Sequence, residues 1–165
     1  MKAIQLLNRM ILDDLCARHP ELTHGQIGSA GKMKCNSANS LTQCVKKFLT
    51  IKGHQCDRVN NQGRRIDQTQ VVTDILGFKR QIGSVKYVPG TGTKGKADLS
   101  AKIRRRPTDE FAVPVEIEIK WNKDRQSQVQ KQFEQQTVKA GGVYLLIHSL
   151  EEFVEWYGGF VITPC

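Results

Sequence analysis

Aromatic residues make up only 7% of the 165 positions, and no apolar run approaches the roughly 18–20 residues that span a bilayer. The N-terminal residues lack the uniform apolar core of a secretory signal, so membrane and secreted classes recede and a cytoplasmic protein is expected. The five cysteines (Cys16, Cys35, Cys44, Cys56, Cys165) are odd in number and contain no Cys-x-x-Cys pair. That spacing suggests neither a disulfide framework nor a zinc site, and the scattered histidines His19, His24, His54 and His148 add none. Internal repeats are absent too.

Positive charge is abundant. Lys and Arg number 25 against 16 Asp and Glu, a formal charge of +9. Residues 46–106 hold 15 of those bases and four acids, whereas residues 111–165 hold five bases and seven acids. The surplus belongs to the middle of the chain, and a polyanion is its natural partner, with a merely solubilising surface as the alternative. At 39% apolar and 25% charged residues the chain is too apolar for wholesale disorder, and its length suits one domain with a real core.

Ile4, Leu7, Ile11 and Leu15 recur at helical spacing and predict a helix over 3–17 that ends before Pro20. Residues 21–39, rich in Gly, Ser, Lys and Asn, read as a flexible linker. Ser40 and Gln43 form a possible capping box for a helix with Leu41, Cys44 or Val45, and Phe48 on its apolar face, stopped at Gly53. Residues 54–59 suit a strand, and Asn60, Asn61, Gln62 and Gly63 a turn returning the chain through Arg64 and Arg65. Residues 67–86 are ambiguous, with a short helix at 71–76 as good as a strand. The glycine loop at 89–95 lacks the Lys-Ser/Thr ending of a P-loop, which excludes nucleoside triphosphate binding of that kind.

Two segments alternate cleanly, 97–103 and 111–120, and Glu116, Glu118 and Lys120 share one face of the second. Ser127 with Gln130 opens a helix that turns Val129, Phe133 and Val138 inward and ends at Gly141 and Gly142. Residues 143–147 read as a strand buried on both faces, and Ser149 with Glu152 opens a last helix. The order predicts an α/β fold in which helices flank a mixed sheet.

Pairing the alternating strands about Thr108 sets Ser100 opposite Glu116 and Asp98 opposite Glu118, with Cβ atoms roughly 4.5–5.5 Å apart. Directly opposed carboxylates destabilise a sheet unless something binds between them, and Mg²⁺ uses one or two carboxylates plus water and phosphate oxygens. Phosphodiester hydrolysis follows, with Lys120 placed to stabilise developing charge or orient the attacking water. The competing reading is an ordinary amphipathic hairpin whose acids pair with nearby bases, Glu116 with Lys102 among them.

The elements Lys94-Gly95-Lys96-Ala97-Asp98, Glu118-Ile119-Lys120, Ser127-Gln128-Val129-Gln130 and Gly141-Gly142-Val143-Tyr144 resemble the PD-(D/E)XK nuclease superfamily, in particular the VRR-NUC group of small phage and bacterial nucleases. The resemblance covers roughly residues 39–157. It implies a restriction-endonuclease-like core (α-β-β-β-α-β) and a domain boundary between a 1–38 helix and linker and a 39–165 nuclease domain. It further implies a DNA endonuclease dependent on Mg²⁺ or Mn²⁺, acting on branched or flapped DNA. Asp98 and Glu118, with the Ile119 carbonyl, would bind metal; Lys120 would be catalytic; Gln130 would belong to the site or serve only as a cap. Ala97 stands where the superfamily has proline, and Asn39 and Gln43 where many relatives carry an acid. Arg58, Arg64, Arg65, Lys94, Lys96, Arg104, Arg105 and Arg106 are the expected phosphate contacts. The alternative function is a non-catalytic DNA-binding module of the same fold. A homodimer would supply a second site for two-strand cutting, with the Ile4-to-Leu15 stripe as its contact; packing of that stripe on its own domain is the competing reading.

Overall fold

The computed structural model describes residues 2–22, 24–27, 32–59, 63–90 and 92–162, so the expected turn at Asn60, Asn61 and Gln62 lies outside the described residues. In chain order the elements are α1 (Ala3–Arg18), α2 (His24–Ile27), α3 (Ala38–Ile51), β1 (Gln55–Arg58), β2 (Arg64–Asp67), β3 (Gln70–Thr73), β4 (Lys79–Ile82), β5 (Val85–Val88), β6 (Leu99–Ile103), β7 (Val113–Ile119), α4 (Gln128–Lys139), β8 (Val143–Ile147) and α5 (Leu150–Phe160). The chain divides into two compact units, one of Met1–Val59 with Gly95–Cys165 and one of Asn60–Lys94. A boundary after residue 38 is not where it divides.

The larger unit is built on a four-stranded sheet of order β1-β6-β7-β8, antiparallel except for the parallel β7–β8 pair. The sheet is mixed and flanked by helices, as the element order predicts. The β6–β7 hairpin has the expected register, with Ser100 opposite Glu116. Because strand side chains alternate, the odd positions Leu99, Ala101, Ile103, Val115, Ile117 and Ile119 all enter the core. They meet Leu7 and Ile11 of α1, Leu41, Val45, Phe48 and Leu49 of α3, and Phe153 and Tyr157 of α5. Burial pushes the Cys44 and Cys56 thiols up, to about 12 and about 11, so both fill the core as protonated, unreactive groups.

Several expectations need correction. The α1 stripe packs inside its own unit, where Ile4 and Leu15 also meet the core, as the competing reading of it has it. Residues 21–39 are more than a linker: they include α2, and Asn8 holds Met33 through paired hydrogen bonds of 2.8 and 3.2 Å. The third helix starts a turn early. Ser37 is its cap, accepting from the Ser40 N–H at 3.2 Å, because Leu41 is fully buried and already lies within the first helical turns. Residues 71–76 do not form a helix: β-branched Val71, Val72 and Thr73 extend into β3, and Asp74 opens a turn. Arg64 and Arg65 return along β5 rather than β1. Strand β8 is half-buried because it is an edge strand. Helix α4 has no buried residue, and Val129 and Val138 are exposed; of the three apolar residues expected to face inward only Phe133 turns toward the sheet, its ring 6.4 Å from that of Tyr144. Among the described residues no helix is long and apolar enough to cross a membrane.

Candidate active site

The even positions of β6 and β7 occupy the sheet face opposite the core, and the polar groups converge there. Asp98 immediately precedes β6. Its carbonyl accepts from the Val59 N–H at 2.8 Å, and its carboxylate Oδ2 accepts from the Ile119 N–H at 3.0 Å. This cross-strand bond holds the Asp98 carboxylate beside the end of β7, where Glu118 and Lys120 flank Ile119. Lys120 is in turn anchored to β8, its N–H donating to the Ile147 carbonyl at 2.9 Å.

Glu118 and Lys120 form a buried ion pair of 3.0 Å, with side chains only 4% and 6% exposed. Glu118 Oε1 also accepts from the Gln130 side-chain amide in a short hydrogen bond. The amide oxygen of Gln130 accepts from Lys120 Nζ at 3.1 Å and from the Ser127 N–H at 2.8 Å. Gln130 is therefore the reciprocal arm of the α4 capping box and, through the same side chain, a hydrogen-bond partner of both Glu118 and Lys120. Gly95 sets the distance from the glycine loop to this helix. Its φ is +79°, and a Cβ there would lie 2.6 Å from the Val129 carbonyl oxygen, so only glycine permits the approach.

Burial pushes the Glu118 carboxyl above its usual value; the Lys120 hydrogen bond opposes this, and the charges of Asp98 and Asp124 add to it. Burial pulls the Lys120 ammonium down, but its pairing with Glu118 and then Asp124 outweighs that, and the net direction is up. Lys120 is thus held as a cation between two carboxylates. Glu116 does not pair with Lys102, which lies opposite Pro114; it accepts from Ser100 Oγ at 2.8 Å. Glu116 Oε2 and Glu118 Oε2 are buried without hydrogen-bond partners.

The chain matches no known protein family, no curated protein and no solved structure. Its chemistry rests on its own geometry.

That geometry brings Asp98, Glu118, Ile119, Lys120 and Gln130 together. Within the larger unit it does not bring Arg104, Arg105 and Arg106 to them. Arg104, Arg105 and Arg106 follow the far end of β6, about 20 Å along the strand from Asp98. Arg105 is stacked over Phe160 and bonded to its carbonyl, while Arg104 borders a depression with Lys52, His54 and Lys102. Arg58 is tied to the Asn39 side chain. Arg64, Arg65 and Lys94 belong to the Asn60–Lys94 unit, and Lys96 to the larger one. Gln43 is exposed beside Lys46 and Lys47, in a depression that none of the site residues lines. Two neighbours of the site were not legible in the sequence. Asp124, 3.5 Å from Lys120 Nζ, sits in a turn with no motif. Tyr144 is set beside Glu116 by the β7–β8 register, and only that register reveals it.

Proposed function

We propose that the chain is a metal-dependent DNA nuclease of the PD-(D/E)XK type with a restriction-endonuclease-like core, hydrolysing phosphodiester bonds with Mg²⁺ or Mn²⁺. The observation that carries this reading is Glu118: a buried carboxylate with one unpartnered oxygen, beside Asp98, in a cluster whose three acids exceed its one lysine. A net negative pocket that is short of one partner suits a hard divalent cation. Among the described residues no group of three His, Cys, Asp or Glu is placed to hold a metal, so the donor set would be the Asp98 and Glu118 carboxylates, with the Ile119 carbonyl added by the resemblance to PD-(D/E)XK nucleases. Such a set favours Mg²⁺ or Mn²⁺ over zinc.

When bound, the cation would polarise the phosphoryl group and lower the pKa of a water. The chain's own residues do the positioning. Asp98 and Glu118 would hold the cation; Lys120, kept protonated by Glu118 and Asp124, would offer a positive charge to the developing negative charge on the phosphoryl oxygens. Gln130 locks the Glu118 and Lys120 side chains in place from the rigid first turn of α4.

The test is cleavage of plasmid, linear, flapped and four-way-junction DNA with and without Mn²⁺. Asp98→Asn is expected to abolish cleavage while leaving DNA binding within a few-fold of wild type. Metal-dependent cutting that survives Asp98→Asn removes the site assignment. Tight binding with no turnover on any substrate would leave a non-catalytic module.

A further inference from the structure

We propose that residues 64–88 form an arm for B-form DNA duplex, with basic strands that hold phosphates along a groove and an apolar tip that unstacks a base step. The choice of DNA rests on the nuclease reading above, and the arm deepens it by naming the form of DNA engaged.

Shape comes first. The β2–β5 and β3–β4 pairs share one register, the numbers of every pair adding to 152, so they are two stretches of a single ribbon. The Gln68 N–H bond to the Ser84 carbonyl bridges the gap between them. Each strand runs about ten residues, or about 33 Å. Every residue of β3, β4 and β5 is exposed, although a two-stranded ribbon alone is marginal in water. Both faces are open to a partner.

The tip has its own character. Ile75 is 104% exposed, Leu76 81% and Phe78 67%. They are displayed on a braced turn: Asp74 Oδ1 accepts from the N–H groups of Leu76 and Phe78 at 3.0 and 2.8 Å, and the Asp74 N–H donates to the Phe78 carbonyl at 2.9 Å. The Asp74 charge is thereby spent on the turn and on Arg80, 3.7 Å away. The other acid, Asp67, is committed to Thr69 and Arg65. Against these two acids, residues 60–94 carry six bases, a balance of +4.

Charge and tip together select the partner. Bases on both faces of a narrow ribbon, Arg64, Arg80 and Lys86 on one and Arg65 and Lys79 on the other, complement the phosphates of the two strands that wall a groove. Apolar wedges of Ile, Leu and Phe between base steps are the means by which proteins kink duplex DNA. Such wedges enter through the minor groove of B-DNA, where β-ribbons can also lie, whereas the minor groove of A-form RNA is wide and shallow and gives a ribbon no walls to follow. A second copy of the chain would oppose +4 with +4, and three tip residues fall far short of the roughly 800 Å² per partner of a stable protein interface. The aromatics Phe78 and Tyr87 are too few for a single-strand stacking track.

The experiment uses full-length chain in EDTA and a duplex of about three helical turns carrying 2-aminopurine, whose emission rises on unstacking. Wild type is expected to bind and raise the emission, and to bind the matching RNA duplex at least about tenfold more weakly. Ile75→Ser/Leu76→Ser/Phe78→Ser should abolish the rise and weaken binding less than about tenfold, since the phosphate contacts remain. Lys79→Gln/Arg80→Gln/Lys86→Gln should weaken binding by more than about tenfold and lower the salt slope by about 2–3. All six positions lie outside the core, and an unchanged thermal transition verifies folding. The proposal is overturned if both variants bind and unstack as wild type does. It is equally overturned if the tip variant instead loses binding to phosphatidylcholine–phosphatidylglycerol vesicles, or turns a dimer into a monomer in sedimentation. Unstacking without cleavage in Mn²⁺ would keep the arm and remove the nuclease reading; cleavage and affinity unchanged by both variants would do the reverse.

Discussion

The β6–β7 hairpin and the 64–88 ribbon are both antiparallel pairs, yet one buries six of its seven odd residues and the other buries none. In the hairpin, alternation is enforced from one side: helices α1, α3 and α5 cover the odd face, so a one-residue slip would carry Ile117 and Ile119 to the polar face and Glu118 into the core. The ribbon has no covered face to enforce a pattern. Val71 and Val72 stand side by side, one on each face, and both are exposed. Covered and uncovered strand pairs are therefore separated along the chain. The covered hairpin fixes a few polar groups to within hydrogen-bonding distance; the uncovered ribbon presents side chains to whatever it meets.

The sharpest break of this comparison is a truncation on each side. Phe153 is fully buried, its ring 5.6 Å from that of Phe48, and Phe153→Ala should cost about 3–5 kcal/mol in urea unfolding. Val72→Ala should change stability by no more than about 0.5 kcal/mol. Equal losses would mean the ribbon has a core of its own. Lys120→Met belongs with the large effects. Removing one member of a buried pair leaves Glu118 uncompensated at a cost of about 3–5 kcal/mol, and the double change Glu118→Leu/Lys120→Met should recover most of it. A double variant as unstable as the single one would show that the pair supports the fold rather than the chemistry.

Glycines give a finer contrast. Gly77 in the ribbon has φ +85° and no atom within 4 Å of a built Cβ, so Gly77→Ala should cost only the left-handed strain of about 1–2 kcal/mol. Gly95 carries similar strain and in addition presses on the Val129 carbonyl at 2.6 Å. Gly95→Ala should be the more destabilising, and by displacing the first turn of α4 it should loosen Gln130 and lower Mn²⁺-dependent cleavage. Equal costs at the two positions would show that α4 yields freely to the loop.

The same contrast explains how much was legible in the sequence. The register placing Ser100 opposite Glu116 was readable because apolar and polar residues alternate where one face is buried, and Ser127 with Gln130 was readable because a cap leaves a local chemical signature. Ser40 misled because Ser37, one turn earlier, offers the same hydroxyl, and only the burial of Leu41 decides between them. The inward turn of Val129 and Val138 failed for a different reason: α4 lies over a polar sheet face, so its apolar residues have little to bury against. Strands β3 and β4 were ambiguous because nothing packs on them, and periodicity reports burial rather than conformation. The phosphate contacts were assigned from charge alone, which carries no position; the fold sets Arg104, Arg105 and Arg106 at the other end of β6 from Asp98.

The smallest expected effect is a pH slope that only the covered unit should show. His54 shares a hydrogen bond of 2.8 Å with the Tyr157 hydroxyl beside Phe48, and burial, then the charge of Lys52, holds its pKa below the usual 6.5. In the unfolded chain that imidazole takes its proton first as pH falls. Between the unfolded value and the lower native value the unfolded state binds more protons, so stability declines with acidification and His54 adds no further loss below the native value. The ribbon, residues 64–88, contains no histidine and has no such term. Thermal unfolding between about pH 7 and 5 should therefore fall less steeply in His54→Gln than in wild type, because glutamine does not titrate there. Equal slopes would mean that the proton enters His54 without disturbing its bond to Tyr157, and that even the covered unit tolerates a charge at its edge.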